Sequence, residues 1–309
     1  MFFYAVHVAL AQDVPNTVEV AEGAPASGPA ADQLPPELQA LLDLQASLTY
    51  TTGDITLGGG KAMLHLPPTF GYLDPAETDK VLQAWGNPPS PNTWGMLVPD
   101  SAPIFADGTW AVVLSYADDG HVDDADAAEI DYAQVLKDMQ SDAAAENAER
   151  AKAGFSTVNV VGWAEAPHYD AVAHKIYWAK ELDFGDGDHT LNYAIRALGR
   201  DGVLEFNAVA SMSQLAEVKA PMEEVLGFSE FTAGSRYEDF NGATDRVAEY
   251  GLAALVAGGV AAKSGFFKGL IVALLAGKKF VVMALVALGA FFKNLYTKRS
   301  AQGGAPPVA

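Results

Sequence analysis

Between Gly251 and Tyr296 the chain has no acidic residue, and three apolar runs follow one another: GLAALVAGGVAA, GFFKGLIVALLAG and FVVMALVALGAFF. Lysines alone bring charge into the stretch, at Lys263, Lys268, Lys278, Lys279 and Lys293. Apolar surface of this extent is driven out of water. A helix that spans a bilayer needs about 20 apolar residues. Phe280–Tyr296 comes closest to that length, and Lys293 near its end can extend its ammonium to the interface. Gly251–Ala276 is long enough but sets Lys263 and Lys268 near its middle, where each charge costs roughly 2.5–3.5 kcal/mol on insertion. Gly251, Gly258, Gly259, Gly265 and Gly269 would let two helices approach closely, which favours a hairpin over a helix lying flat. The expectation is a membrane anchor over residues 248–297, as a C-terminal transmembrane helix or helical hairpin, with a disordered tail over 298–309. A hairpin buried inside a soluble protein is the alternative.

Charge divides the chain at the same point. Residues 251–309 carry +7, the whole carries -20, and residues 1–250 therefore carry -27. Nucleic acid and anionic headgroups repel such a domain, so no nucleic-acid partner is expected. A solvated acidic surface also keeps a domain soluble. The chain has no cysteine, which excludes disulfides, zinc–thiolate sites, iron–sulfur clusters and thiol catalysis. Met1–Leu10 is apolar (MFFYAVHVAL), and Ala9-Leu10-Ala11 has the small-x-small form of a secretory cleavage site. Residues 1–11 thus read as the remnant of a signal peptide without its basic start. The acidic part would then lie beyond a bacterial inner membrane, facing the periplasm or the cell exterior.

Residues 12–34 are rich in Pro, Ala, Gly and acid without periodicity, and are expected to be a disordered linker. An acidic soluble domain is expected over 35–245. Pro35-Pro36 opens a helix with Leu38, Leu41, Leu42 and Leu48 on one face. Gly53–Leu57 and Lys61–Leu66 read as a hairpin around Gly58-Gly59-Gly60. Asp74-Pro75 begins a helix that runs to Trp85. Strands are expected at Gly95–Val98 and Thr109–Tyr116. A helix follows at Ala127–Ala153, with Ile130, Ala133, Leu136 and Met139 as its apolar stripe. A meander comes next: Val158–Glu165, Ala173–Leu182, Thr190–Leu198 and Val203–Ala210, its last turn centred on Asp201-Gly202. Ser213–Gly227 closes the domain as a helix. Strands mixed with segregated helices define an α+β class, an antiparallel sheet flanked by helices. The pattern resembles small antiparallel domains of the PsbP or Mog1 type.

Two acidic clusters are candidate metal sites. Asp118, Asp119, Asp123, Asp124 and Asp126 crowd one loop, and Ca²⁺ prefers oxygen-rich loops. An EF-hand register with Gly120 sixth places Ser115 first and Ala117 third, which removes two carboxylates. Acids at a helix N-terminus explain the cluster equally. Asp183, Asp186 and Asp188, with His189, surround a hairpin tip, where tight turns also select Asp and Gly. Gly58-Gly59-Gly60-Lys61 lacks the spacing and the following Ser or Thr of a phosphate loop. His65, His168 and His174 fit no hydrolase or metalloprotease pattern and read as histidines satisfied in or near strands. The five tryptophans read as core. Trp85, Gly86, Asn87, Pro88 and Pro89 open a loop that reads as an exposed docking surface.

Three strings carry a resemblance: Phe70-Gly71-Tyr72-Leu73-Asp74, Trp85-Gly86-Asn87-Pro88-Pro89 and Gly95-Met96-Leu97-Val98-Pro99. With the acidic loop before Ile130-Asp131-Tyr132 and the tail from Tyr250-Gly251-Leu252, they resemble the domain-of-unknown-function 2167 family of membrane-anchored bacterial proteins. The likeness runs roughly from Leu48 to Tyr296. It implies an exported domain with a C-terminal anchor and carries over no catalytic residue or cofactor. The expected function is a non-catalytic binding or structural module of the envelope, with membrane lipid and another envelope protein as partners. The alternative is a cation-binding sensor or metal-dependent enzyme built on the two acidic clusters.

Overall fold

The computed structural model describes residues 36–258, except 86, 88–90, 100–102, 107, 153–156, 186 and 188. The expected signal remnant, linker, C-terminal tail and the anchor beyond 258 lie outside the described residues. No described helix is long and apolar enough to cross a membrane.

In chain order, α1 (Pro36–Ser47) precedes the hairpin of β1 (Gly53–Leu57) and β2 (Ala62–Leu66). β3 (Phe70–Leu73), α2 (Pro75–Ala84), β4 (Thr93–Pro99) and β5 (Ala111–Ala117) follow. α3 (Tyr132–Lys152) leads to β6 (Asn159–Asp170), β7 (Lys175–Asp183), β8 (His189–Leu198) and β9 (Val203–Ser211). α4 (Leu215–Phe228), β10 (Ser229–Phe231) and α5 (Leu252–Ala257) complete the described order. The class is α+β, as expected.

Seven strands form one antiparallel sheet in the order β3-β4-β5-β9-β8-β7-β6, and β1-β2-β10 form a second. The large sheet is two meanders joined where β5 pairs with β9, Ala111 opposite Val209 through Ala117 opposite Val203. Leaving β5, the chain must reach the far edge of the sheet at β6. Three strands intervene, so the step is on the order of 20 Å. A helix of 21 residues covers it.

Side chains alternate across each strand and divide the core in two. On one face Val112, Leu114, Leu204, Phe206, Tyr193 and Ile195 pack under α4 and the small sheet. On the other face α2 covers Met96, Val98 and Val113 at one end. At the other end Leu252, Leu255 and Val256 of α5 pack on Ile176, Trp178 and Val203. Polar residues occupy the space between: Ser115 donates to Glu205 (2.8 Å) and Arg196 to Asn207 (3.0 Å).

Local chemistry explains most boundaries. Asp74 caps α2 by accepting from the Glu77 N–H at 2.9 Å, with Pro75 in the first turn. The triple glycine joins β1 to β2 as expected, but β2 starts one residue later than read, with Leu57 opposite Ala62. Several readings change. α3 begins at Tyr132, because Ala127–Glu129 form a separate 3-10 turn and Ile130 is extended. Its expected apolar stripe is broken: Met139 is buried and Ala133 exposed. It docks on β6 largely through amides instead, Gln140 to the Val160 carbonyl and Asn147 to Val158 in both directions. The expected face of α1 is split: Leu38 is 39% and Leu42 46% exposed, while Leu48, just past the helix, and the unexpected Leu44 reach the core.

The β8–β9 turn sits one residue earlier than expected. Gly199 N–H donates to the Gly202 carbonyl, so Arg200-Asp201 form its tip. Gly202 answers a packing need rather than a turn conformation, since a Cβ there would collide with the Ala117 carbonyl and the Tyr116 ring. The largest change concerns the start of the anchor. Leu252, Leu255 and Val256, read as part of the beginning of a membrane run, are buried in the domain core. The folded domain therefore extends past 245.

Candidate functional site

The β6–β7 turn carries the site. Asp170 Oδ1 accepts the N–H groups of Val172 (2.8 Å) and Ala173 (3.1 Å), which closes the turn tightly. His174 then adopts φ +48°, a left-handed conformation that no other non-glycine among the described residues shows. Such a backbone costs on the order of 1–3 kcal/mol and persists where the surroundings hold it. What holds it here is the side chain. The imidazole Nδ1 lies 3.2 Å from Asp124 Oδ2 and 3.2 Å from the Tyr169 hydroxyl. Tyr169 donates its own short hydrogen bond to the same Asp124 oxygen. The Tyr237 ring stacks on His174 at 4.0 Å.

Burial alone would push the Asp124 carboxyl up. The hydrogen bond from Tyr169 and the contact with His174, with the Tyr237 phenol close by, outweigh it and hold the group below the usual carboxylate range; the Tyr237 hydroxyl itself donates to the Val122 carbonyl at 3.0 Å. Both phenols are raised, first by burial and then by the Asp124 charge. Asp124 is thus an anion at neutral pH with two neutral phenols beside it. A carboxylate facing Nδ1 places the proton of neutral His174 there and leaves Nε2 as an acceptor.

His174 and Tyr237 line a cleft of about 370 Å³, with Arg236, Glu230 and Glu238 on its walls and Leu204 and Leu226 among its apolar lining. The volume suits a side chain or a small organic group. Lys175 closes one end. Its buried ammonium donates to the carbonyls of Leu226 (2.5 Å) and Ser229 (2.6 Å) and caps the C-terminal end of α4. Burial lowers its pKa, and Asp170 and Glu230 oppose that. Ser229 Oγ donates to the Val225 carbonyl at 2.9 Å, so this hydroxyl is committed to structure. The cleft offers an oriented imidazole, an exposed guanidinium and a stacking phenol, which are groups for holding a ligand.

The candidate acids disperse. Asp118 pairs with Arg246 at 3.0 Å, and Asp119 accepts from Tyr250 at 2.7 Å. Asp123 accepts the Ala125 N–H at 2.8 Å, and Asp126 faces Gly251 at the start of α5. Asp183 accepts the Gly185 N–H at 2.7 Å, while Asp186 and Asp188 lie outside the described residues. His189 bonds Glu181 at 2.5 Å. Among the described residues no three His, Asp or Glu side chains stand where they could share a metal. Asp124 alone of the candidates joins the cleft constellation. In the expected docking loop Trp85 packs on the α2 core and Asn87 is buried, so those two do not present an exposed surface. Gly86, Pro88 and Pro89 lie outside the described residues.

His65 sits on β2 between Asp54 (2.8 Å) and Glu230 (3.4 Å). Hydrogen bonds that its ring donates to those two carboxylates raise its pKa. Trp110 and Trp178 are buried core, whereas Trp85, Trp94 and Trp163 are half-buried. Sequence reasoning set His174 among structural histidines and missed Tyr169, Arg236 and Tyr237. Asp170 before a four-residue turn was a readable signal, but nothing local ties Tyr237 to a turn 63 residues earlier.

The molecule is thus an antiparallel α+β domain with one wall of a cleft built on a strained histidine. The chain belongs to the family described as protein of unknown function (DUF2167), whose model matches residues 49–289. No curated protein matches it in sequence. Among solved structures it is similar to the cyanobacterial PsbP (CyanoP) of Synechocystis sp. PCC 6803. That match has 13% identity and TM-score 0.32, over 60% of this chain and 94% of the other. It is also similar to the Saccharomyces cerevisiae Ran-binding protein Mog1p, at 12% identity and TM-score 0.33, over 60% and 96% of the two chains.

Proposed function

We propose that the protein is a membrane-tethered binding module of the bacterial envelope, its acidic domain held outside the cytoplasm and its β6–β7 cleft receiving a segment of another envelope protein. The cleft carries the binding half of this reading. Asp124 and Tyr169 spend their polar groups orienting His174, and the wall beside it adds Arg236, whose guanidinium is exposed. Oriented acceptors and an exposed guanidinium recognise polar groups without chemistry of their own. The tethering half rests on the sequence from Gly259 to Tyr296, with its apolar runs and its lysines.

Val172 gives the test a handle, because it is 93% exposed at the mouth of the cleft. A photo-cross-linking residue placed there, in full-length protein in intact cells, is expected to give one discrete adduct with another envelope protein. The double substitution H174A and R236A is expected to weaken that adduct at least about tenfold, as loss of one charge-assisted contact and one stack would. Equal labelling of wild type and the double variant contradicts the assignment.

A further inference from the structure

His121 stands inside a column of rings. Tyr237 lies 4.2 Å from it and Phe240 3.9 Å, and His174 stacks against Tyr237 in turn. The column runs from the cleft to the segment that closes the described domain. The backbone of His121 holds that segment directly. Its N–H donates to the Arg246 carbonyl at 2.8 Å, its carbonyl accepts from Ala248 at 2.8 Å, and Val247 forms a parallel bridge with it. Gly120 (φ +98°) permits the approach, since a Cβ there would lie 2.7 Å from the Arg246 carbonyl. Past this bridge the chain enters α5, whose Leu252, Leu255 and Val256 bury themselves beside Val122.

We propose that His121 is an acid-sensitive latch: its neutral ring fastens residues 246–258 to the domain, and protonation of the ring releases them. The residue is 8% exposed, and its Nδ1 is buried with no hydrogen-bond partner among the described residues. A protonated ring must carry an N–H on that nitrogen, for which no acceptor stands in hydrogen-bond geometry among the described residues, and a buried donor without a partner is expensive. Cation–π attraction from Tyr237 and Phe240 works in the opposite direction. Burial holds the imidazole below its ordinary 6.5, against the backbone at Gly199 and Arg200 and the charges of Asp123 and Asp124.

The other charges around the ring are largely spent. Asp124 is held by Tyr169 and His174, and Asp119 by Tyr250. On the β8–β9 turn Arg200 pairs with Asp245 at 2.7 Å, and Asp201 with Lys61 at 2.8 Å. Arg246 of the segment pairs with Asp118, and Asp239 of the Tyr237–Asp239 turn accepts the Gly234 and Arg236 N–H groups. Because the folded ring binds its proton more weakly than the unfolded one, the latch is whole above pH about 6.5 and weakens as pH falls. It depends on the packing of 246–258 and stands whether or not the run beyond them enters a membrane.

Amide hydrogen exchange on the full-length protein in detergent micelles, between about pH 7.5 and about pH 5, tests the latch in the range where histidine titrates. After correction for the intrinsic rates, protection across 246–256 is expected to fall about tenfold or more, while β8 and β9 stay protected. His121→Phe keeps a ring in the column and cannot take up a proton, so its protection is expected to be the same at both pH values. His65→Gln, on the exposed face of the small sheet, should leave the wild-type response intact. Should His121→Phe fail to fold, exchange at the histidine Cε1 position gives the His121 midpoint in the unaltered protein, expected below 6.5. Unchanged protection in the wild type, a full pH response in folded His121→Phe, or a His121 midpoint at or above 6.5 each overturns the latch.

Discussion

At the scale of the residue, Asp124 decides how the cleft is built. It stands in the densest run of acid in the chain, and by composition it could not be told from its neighbours. What separates it is two partners converging from β6 and from the turn after it, Tyr169 and His174. Asp124→Asn keeps the shape and removes the charge. Urea unfolding at neutral pH should show a loss of about 1.5–3 kcal/mol, the range for hydrogen bonds to a charged group. The folded carboxyl is depressed, so its contribution is present above the unfolded carboxylate pKa and disappears as pH falls through the folded one. The variant should accordingly lose less stability than wild type between about pH 5 and pH 2. Identical acid profiles would show that Asp124 is solvated and does not organise His174.

At the scale of the element, boundaries that local chemistry sets were legible in the sequence. Asp74-Pro75 opens α2 and the triple glycine turns β1 into β2, because capping and turn geometry act within a few residues. β3 and β10 were not legible as strands. They have four and three residues, and their partners lie in β4 and β2. β6 runs to Asp170, five residues past its expected end, because register shifts near Gly162 and Glu165 interrupt the alternation that marks a strand. α5 was misread for a different reason. Apolar residues look the same to a hydropathy scale whether they enter lipid or a protein core. Leu252→Ala discriminates between these fates. Packed beside Trp178 and Val203, it should lower the unfolding free energy of the domain by about 2–5 kcal/mol. A variant with unchanged stability would return residues 252–256 to the anchor.

At the scale of the molecule, charge and hydropathy sort the chain into two parts that want different surroundings. Residues 1–250 carry -27, and the 59 residues that follow carry +7 without an acid. The folded domain takes the six residues of α5 from the apolar stretch, and the rest of that stretch lies beyond Gly258. That remainder still holds two apolar runs, GFFKGLIVALLAG and FVVMALVALGAFF. The class of fold and the family were readable at this scale, because strand–helix order and a few strings suffice for them. The cleft was not, since it joins residues from 124 to 237 that no periodicity relates. Alkaline carbonate extraction of cell membranes tests the tether most directly, on the full-length chain beside one ending at Gly258. Full-length protein should remain in the membrane pellet, with the shortened chain released intact and folded; full-length protein in the soluble cytosolic fraction would contradict the tether outright.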